Sequence, residues 1–365
     1  MKNVGITYDP IYMKHNTGNH PECPERLTET LKRLKENHMY GKERQSHYHE
    51  ITPYLATPEQ VGWLHDGHLI DSIKKETKSL KNTHAITHLD ADTIISEDSY
   101  EAALKAVGGN FAVIDAIIAN EIDRGFVLCR PPGHHSNNRR SSGFCLFNNI
   151  ALDVEFLIRE KGIEKVAIVD FDVHAGNGTE SIFEMGPSTG ELLMFSLHQH
   201  PYTLYPGTCF VDDMGLDEQK GKICNLTLYP GSGVKSVKES FKEILLPMLN
   251  EYKPEFILVS AGFDAHFSDP LAGLSYNTQL YHWMMDEVGK IADKYAKSRV
   301  CCTLEGGYNL EAISKSITNV ISSMRGEQAI YEEDETGRAE AYEKTQTKLI
   351  PKIKDLFSDY WDCFQ

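Results

Sequence analysis

The chain predicts a single α/β domain with a central, mostly parallel sheet flanked by helices. Three observations carry that expectation. Continuous β-branched apolar runs recur along the chain, and stretches with helical spacing separate them. No linker, repeat or low-complexity tract divides the 365 residues. The composition, 41% hydrophobic and 25% charged, is ordinary for a packed globular domain.

In chain order, the predicted strands are Val4–Tyr8, Phe126–Cys129, Val166–Phe171, Leu192–Leu197, Ile223–Leu228, Phe256–Ser260 and Val300–Leu304. Runs without polar alternation suit strands covered on both faces. Among the helical stretches, Thr57-Pro58-Glu59-Gln60 reads as a capping box with proline at the first helical position. Ser99–Ala119 and Thr278–Lys297 are long helical stretches, and Val237, Phe241, Ile244, Leu245 and Met248 recur at helical spacing. Residues 1–325 are expected to form the domain. Residues 326–365 are expected to add an acidic loop, Tyr331-Glu332-Glu333-Asp334-Glu335, read as solvated, and a C-terminal helical extension packed on the same body.

The net charge of -16 argues against non-specific nucleic-acid binding, because phosphates would be repelled. No apolar run is long enough to span a bilayer. Met1-Lys2-Asn3-Val4-Gly5 lacks the apolar core of a signal peptide, so a cytoplasmic protein is expected. The eight cysteines include no C-x-x-C pair, and Cys129, Cys224, Cys301 and Cys302 sit in apolar runs; reduced, buried thiols are expected.

In open parallel sheets, ligands bind beyond the carboxyl ends of the strands. Four polar motifs follow strand candidates directly: Arg130-Pro131-Pro132-Gly133-His134-His135, Asp170-Phe171-Asp172-Val173-His174, Gly262-Phe263-Asp264 and Glu305-Gly306-Gly307-Tyr308. Tandem histidines on a rigid turn suggest proton transfer; the bland reading is that one imidazole satisfies a buried carbonyl. Asp172 and His174 are two apart and share one side of an extended chain. With Asp264 they would hold a divalent metal of the zinc type and leave a position open. A structural hydrogen-bonded pair is the alternative. Tyr308, on a double-glycine turn, could donate to a developing oxyanion.

These motifs, in this order and spacing, resemble the zinc-dependent histone deacetylase family. His20-Pro21-Glu22-Cys23-Pro24-Glu25-Arg26-Leu27 resembles its N-terminal motif, and the match runs from about Met1 to Ser323. Gly262-Phe263-Asp264 and Glu305-Gly306-Gly307-Tyr308-Asn309 are similar to the class II and prokaryotic branch, which includes acetylpolyamine amidohydrolases. The resemblance implies the arginase–deacetylase fold and hydrolysis of acyl-lysine amides.

It also implies residue roles. Asp172, His174 and Asp264 match metal ligands, which would take Zn2+ and could accept Fe2+. His135 matches the general base, held by Asn177; His134 matches its electrostatic partner, oriented by Asp170. Tyr308 matches the carbonyl-polarising residue. Gly143, Phe144 and Tyr205 match the acyl-lysine tunnel, and Asp98 the rim position that grips the substrate backbone. Asp170, Asp172, His174, Ser196 and Leu197 match a structural K+ or Na+ site.

The departures refine the expectation. Ala175 replaces a second histidine, implying a local packing change with the metal retained. Gly176 stands where the related arginases hold a second-metal acid, so one metal is expected. His266 is expected to be a rim histidine. Leu271 occupies the gate where polyamine-selective relatives carry an acid, which favours acyl-lysine over acylated polyamine. A catalytically silent acyl-lysine binding module is the remaining alternative, and homo-oligomerisation is left open.

Overall fold

The computed structural model describes residues 1–365. Its strands are β1 (Val4–Thr7), β2 (Tyr48–Ile51), β3 (Thr87–His88), β4 (Ile94–Ile95), β5 (Arg124–Val127), β6 (Lys165–Asp170), β7 (Glu191–Gln199), β8 (Ile223–Leu228), β9 (Phe256–Ala261) and β10 (Val300–Leu304). Apart from the antiparallel hairpin β3–β4, all pair in parallel in one eight-stranded sheet of order β2-β1-β5-β10-β9-β6-β7-β8. The helices are α1 (Glu25–Glu36), α2 (Pro58–Val61), α3 (Gly67–Ser79), α4 (Ser99–Ile118), α5 (Asn149–Lys161), α6 (Asn177–Phe183), α7 (Val234–Ser240), α8 (Leu246–Tyr252), α9 (Thr278–Tyr295), α10 (Leu310–Arg325), α11 (Ala339–Lys344) and α12 (Ile350–Phe357).

The strand order explains why four distant motifs meet. β5 and β6 are consecutive along the chain, yet in the sheet β10 and β9 lie between them. The four central strands are therefore those that the four polar motifs follow. The register sets Asp170 of β6 opposite Ser196 of β7 and Ser260 of β9.

Helices cover both faces, which is why the strands read as unbroken apolar runs. α1, α9 and α10 pack together, and α4 packs on α5, where Phe111 stacks on Phe156 at 4.1 Å between ring centroids. In β6, Val166, Ala167, Ile168 and Val169 are wholly buried. At about 25 cal/mol per Å² of apolar surface, this burial is the main stabilising contribution.

The seven expected strands are present, two with both ends as expected and the others with ends shifted by at most two residues. β2 and the β3–β4 hairpin are additions. Tyr48-His49-Glu50-Ile51 pairs only with β1 at the sheet edge and keeps polar residues, so it lacks the apolar signature. The capping box at Thr57 forms as expected. The expected helix through Val237 and Met248 continues across 234–252, with a π turn at Phe241–Leu245. A second π turn, Thr345–Leu349, precedes α12. Each lies directly before a helix with proline in its first turn, Pro247 and Pro351. A proline offers no N–H and crowds the carbonyl four residues earlier, so the preceding turn widens.

The C-terminal segment packs on the sheet's β8 side. Trp361 Nε1 donates to Gly221 O at 2.7 Å, Lys354 pairs with Glu243 at 2.6 Å, and Ile350, Ile353 and Phe357 are buried. All eight cysteines are free thiols; Cys129, Cys145, Cys209, Cys224, Cys301 and Cys302 are buried, whereas Cys363 is exposed. No helix is long and apolar enough to cross a membrane.

Candidate active site and metal centre

Beyond β6 the chain bends at Val173 and His174, and Asp172 and His174 converge on one point. Asp264 arrives from the end of β9. The three offer ligand atoms that all lie within 4.8 Å of one another. His174 Nδ1 is 3.2 Å from Asp172 Oδ1 and 3.1 Å from Asp264 Oδ2. Backbone donors hold the carboxylates: Gly306 N donates to Asp172 Oδ2 at 2.8 Å, and Val173 N donates to Asp264 Oδ1 at 2.9 Å. Gly306 has to be glycine, because a Cβ there would overlap both carboxylates.

Two buried carboxylates in contact need positive charge. Burial alone would lower the pKa of His174, but its hydrogen bonds to Asp172 and Asp264 outweigh that and raise it to about 10. Burial and the Asp172 charge push Asp264 up to about 7. A proton on His174 thus serves where a cation would serve better. Two carboxylates and one imidazole fit a divalent ion of the zinc class.

The histidine pair follows β5 on the Pro131-Pro132-Gly133 turn. The rings stand 4.0 Å apart. Gly133 N and His134 N donate to Glu305 Oε2 at 2.7 and 3.1 Å, so a carboxylate at the end of β10 holds the turn. Glu305 gains this role only through the fold, from donors 172 and 171 residues away in the chain. His134 Nδ1 donates to Asp170 Oδ2 at 2.9 Å, and His135 Nδ1 to Asn177 Oδ1 at 2.7 Å. Both acceptors lack a proton to give, which fixes the Nδ1–H form of each imidazole.

The two rings differ in charge. Burial would lower His134, but Asp170, Asp172 and Glu305 prevail and raise it to about 10. His135 is held well below 6.5 by burial and then by the positive charges of His134 and His174. A neutral imidazole beside a charged one is suited to accept a proton.

Aromatic rings wall the approach. Phe144 meets Tyr308 edge-on at 5.8 Å, and Tyr205 meets His135 at 5.1 Å. Gly143 adopts φ 56°, and a Cβ there would strike the His135 ring. Tyr308 is held by Asp269, whose Oδ2 accepts from Tyr308 N at 2.7 Å and Asn309 N at 3.1 Å. Its Oδ1 accepts from Leu271 N at 3.0 Å, so one carboxylate braces both Tyr308 and Leu271. From the N-terminal motif, Arg26 Nε donates to Gly307 O at 2.7 Å, and its guanidinium lies 5.2 Å from the centre of the Tyr308 ring. Glu22 in turn bridges Arg26 and Arg130, at 3.1 and 2.7 Å.

Asp98 is the N-cap of α4 and makes no side-chain capping hydrogen bond. Asp90 and Asp92, in the β3–β4 turn, are the acids whose charges reach Tyr205. The same turn touches the pocket wall where Phe144 N donates to Thr93 Oγ1 at 3.2 Å. One expectation is corrected: His266 is not a rim histidine. It is 2% exposed, and its ring contacts Ser268 Oγ at 2.8 Å and Glu333 Oε2 at 2.9 Å. Glu333 therefore belongs to the packed structure, not to a solvated loop; it also accepts from Thr278 N at 2.8 Å at the start of α9. Ser196 and Leu197 lie on β7 beside the Asp170 end of β6.

Residues 20–324 match the family described as the histone deacetylase domain. The chain belongs to the histone deacetylase family. It is 34% identical to a probable deacetylase of Archaeoglobus fulgidus over 99% of both chains. It is 31% identical to the polyamine deacetylase HDAC10 of Mus musculus over 84% of this chain and 45% of that protein. Its structure matches the crystal structure of the HDA15 HD domain with a TM-score of 0.87 at 30% identity, covering 99% of this chain and 96% of the other. The deacetylase fold, with its arginase-type central sheet, is thus shared, and the chain is a hydrolase of amide bonds.

Proposed function

We propose that this deacetylase removes acetyl or other acyl groups from lysine side chains with the help of one divalent metal. The observation that carries the reading is the neutral His135 imidazole, oriented by Asn177 and 5.9 Å between ring centres from His174 of the metal triad. Held by Asp172, His174 and Asp264, a zinc-class ion (Zn2+ or Fe2+) would acidify water to a pKa of about 7 and polarise the amide carbonyl.

The protein's own residues do the rest. His135, with Nδ1–H committed to Asn177, presents Nε2 to take a proton from water and return it to the leaving amine. His134, charged and backed by Asp170, stabilises the negative charge that develops nearby. Tyr308, protonated because burial raises its phenol well above 10, donates to the oxyanion. Phe144 and Tyr205 flank the apolar lysine stem, with Gly143 leaving room for it. Asp170, Asp172, His174, Ser196 and Leu197 would hold a structural K+ or Na+, a reading supported by the β6–β7 register.

An acylated polyamine is the second reading, supported by the similarity to a protein named polyamine deacetylase. Leu271 weighs against it, since an apolar gate offers nothing to a distal ammonium. Turnover of an acetyl-lysine peptide and of acetylputrescine by one zinc-loaded preparation separates them. Faster hydrolysis of the peptide is expected. A large preference for the polyamine would overturn the first reading, and hydrolysis of neither would overturn both.

A further inference from the structure

The turn that carries Phe144 is strained. Cys145 N donates to Ser142 O at 3.0 Å, which closes four residues with Gly143 and Phe144 at the centre. Both central residues have positive φ, 56° and 70°. Tight turns of that hand are ordinarily filled by asparagine and glycine. A phenylalanine at such a φ brings its Cβ against the following carbonyl and is an outlier among bulky side chains. Strain of this kind persists only where the surroundings hold it. The ring it places meets His20 at 4.5 Å and Tyr308 at 5.8 Å, both edge-on.

One side chain from outside the turn supplies the restraint. Phe144 N has no backbone acceptor and donates instead to Thr93 Oγ1 at 3.2 Å. Thr93 is wholly buried. Its own place is set by the β3–β4 turn. Thr93 N and Asp92 N donate to Asp90 Oδ1 at 2.7 and 3.1 Å, and Leu89 N donates to Thr93 O at 2.8 Å. A hairpin with two residues per strand has little stability of its own, so the Asp90 carboxylate is what shapes it. The hydrogen bonds of Thr93 all lie outside the metal triad and the histidine pair.

We propose that Thr93 is a positioning residue, whose hydroxyl holds Phe144 in the left-handed conformation that builds the wall of the acyl-lysine pocket. The proposal rests on the reading that Phe144 flanks the lysine stem. Without the acceptor, the turn relaxes in part of the population. Apparent affinity then falls with the fraction that still presents the wall. A bound substrate selects the competent form, so the steps after binding keep their rate. Thr93 therefore acts on KM and leaves kcat alone, the pattern of a lost uniform binding contribution.

Steady-state kinetics of the full-length, metal-loaded protein on an acetyl-lysine peptide tests this. Thr93→Val keeps the shape and loses the acceptor. It should raise KM about tenfold, the effect of one buried amide left unpaired, with kcat within about twofold of wild type. Thr93→Ser restores the oxygen and should bring KM back to within about threefold of wild type. In a Phe144→Ala background, Thr93→Val should add nothing, because no ring remains to be placed. Should Thr93→Val fail to fold, Asp90→Ala, at a partly exposed position, carries the same test through the shape of the turn, with a rise in KM expected. An unchanged KM in the variant tested, while Phe144→Ala raises it, would overturn the proposal. So would a Thr93→Ser as defective as Thr93→Val, or a loss confined to kcat. If Phe144→Ala itself leaves KM unchanged, the reading of Phe144 as the wall is what fails, and the proposal falls with it.

Discussion

At the scale of single residues, two adjacent imidazoles are made unequal by their surroundings. Asp170 gives His134 a charge, whereas burial and the charges of His134 and His174 keep His135 neutral while Asn177 orients it. Turnover of an acetyl-lysine peptide should therefore fall about 10²–10⁴-fold in His135→Ala, with metal content unchanged. His134→Ala should keep more activity, because it removes a charge but not the proton acceptor. Equal losses would contradict this division. Asp153 makes a different prediction. It is buried in α5, and neither carboxylate oxygen has a hydrogen-bond partner. Burial, then the Glu305 charge, raises its pKa well above 3.8. The folded form keeps the proton while the unfolded chain loses it above about pH 4, so the native state loses about 1.4 kcal/mol per pH unit until the raised pKa is passed. Asp153→Asn should melt higher than wild type, by a margin that grows from pH 5 to pH 8. A margin independent of pH would show that the carboxyl is not neutral in the fold.

At the scale of elements, the loop after β9 ties Leu271 to Tyr308 through Asp269. Tyr308→Phe should lower turnover about 10²–10³-fold, as expected for removing one oxyanion donor. Asp269→Ala should lower it less, and the double variant should lose less than the two single effects combined, because both act through the position of one phenol. Strict additivity would separate the two residues. Leu271→Glu should shift the ratio of acetylputrescine to peptide turnover toward the polyamine by placing a carboxylate where a distal ammonium would lie. The capping box and the long helices were legible in the sequence because both are local patterns. The β3–β4 hairpin was not, since two residues per strand carry no period.

At the scale of the whole molecule, the candidate metal triad lies beyond the carboxyl ends of two central strands, β6 and β9, and sets two buried carboxylates against one imidazole. Zinc should therefore stabilise the entire domain. A free concentration about a hundredfold above Kd should add about 2.7 kcal/mol, read as a higher melting temperature that chelation reverses. A melting temperature indifferent to chelator would mean that the triad does not take the ion. Asp172→Asn should lose both the metal and its contribution to the melt.

The sequence alone determined the α/β class, the strand-end motifs and the identity of the residues that form the triad and the histidine pair. Each is written locally, in the spacing of neighbouring residues. Only the tertiary structure decided which carboxylate serves which partner. Glu305 accepts from Gly133 and His134 across 172 and 171 residues of chain, Asp269 braces Tyr308 across 39, and Glu333 reaches His266 across 67. A carboxylate is a common surface residue, and its own neighbours in sequence do not reveal burial. It gains a role when a parallel sheet with a non-sequential strand order brings distant donors to it.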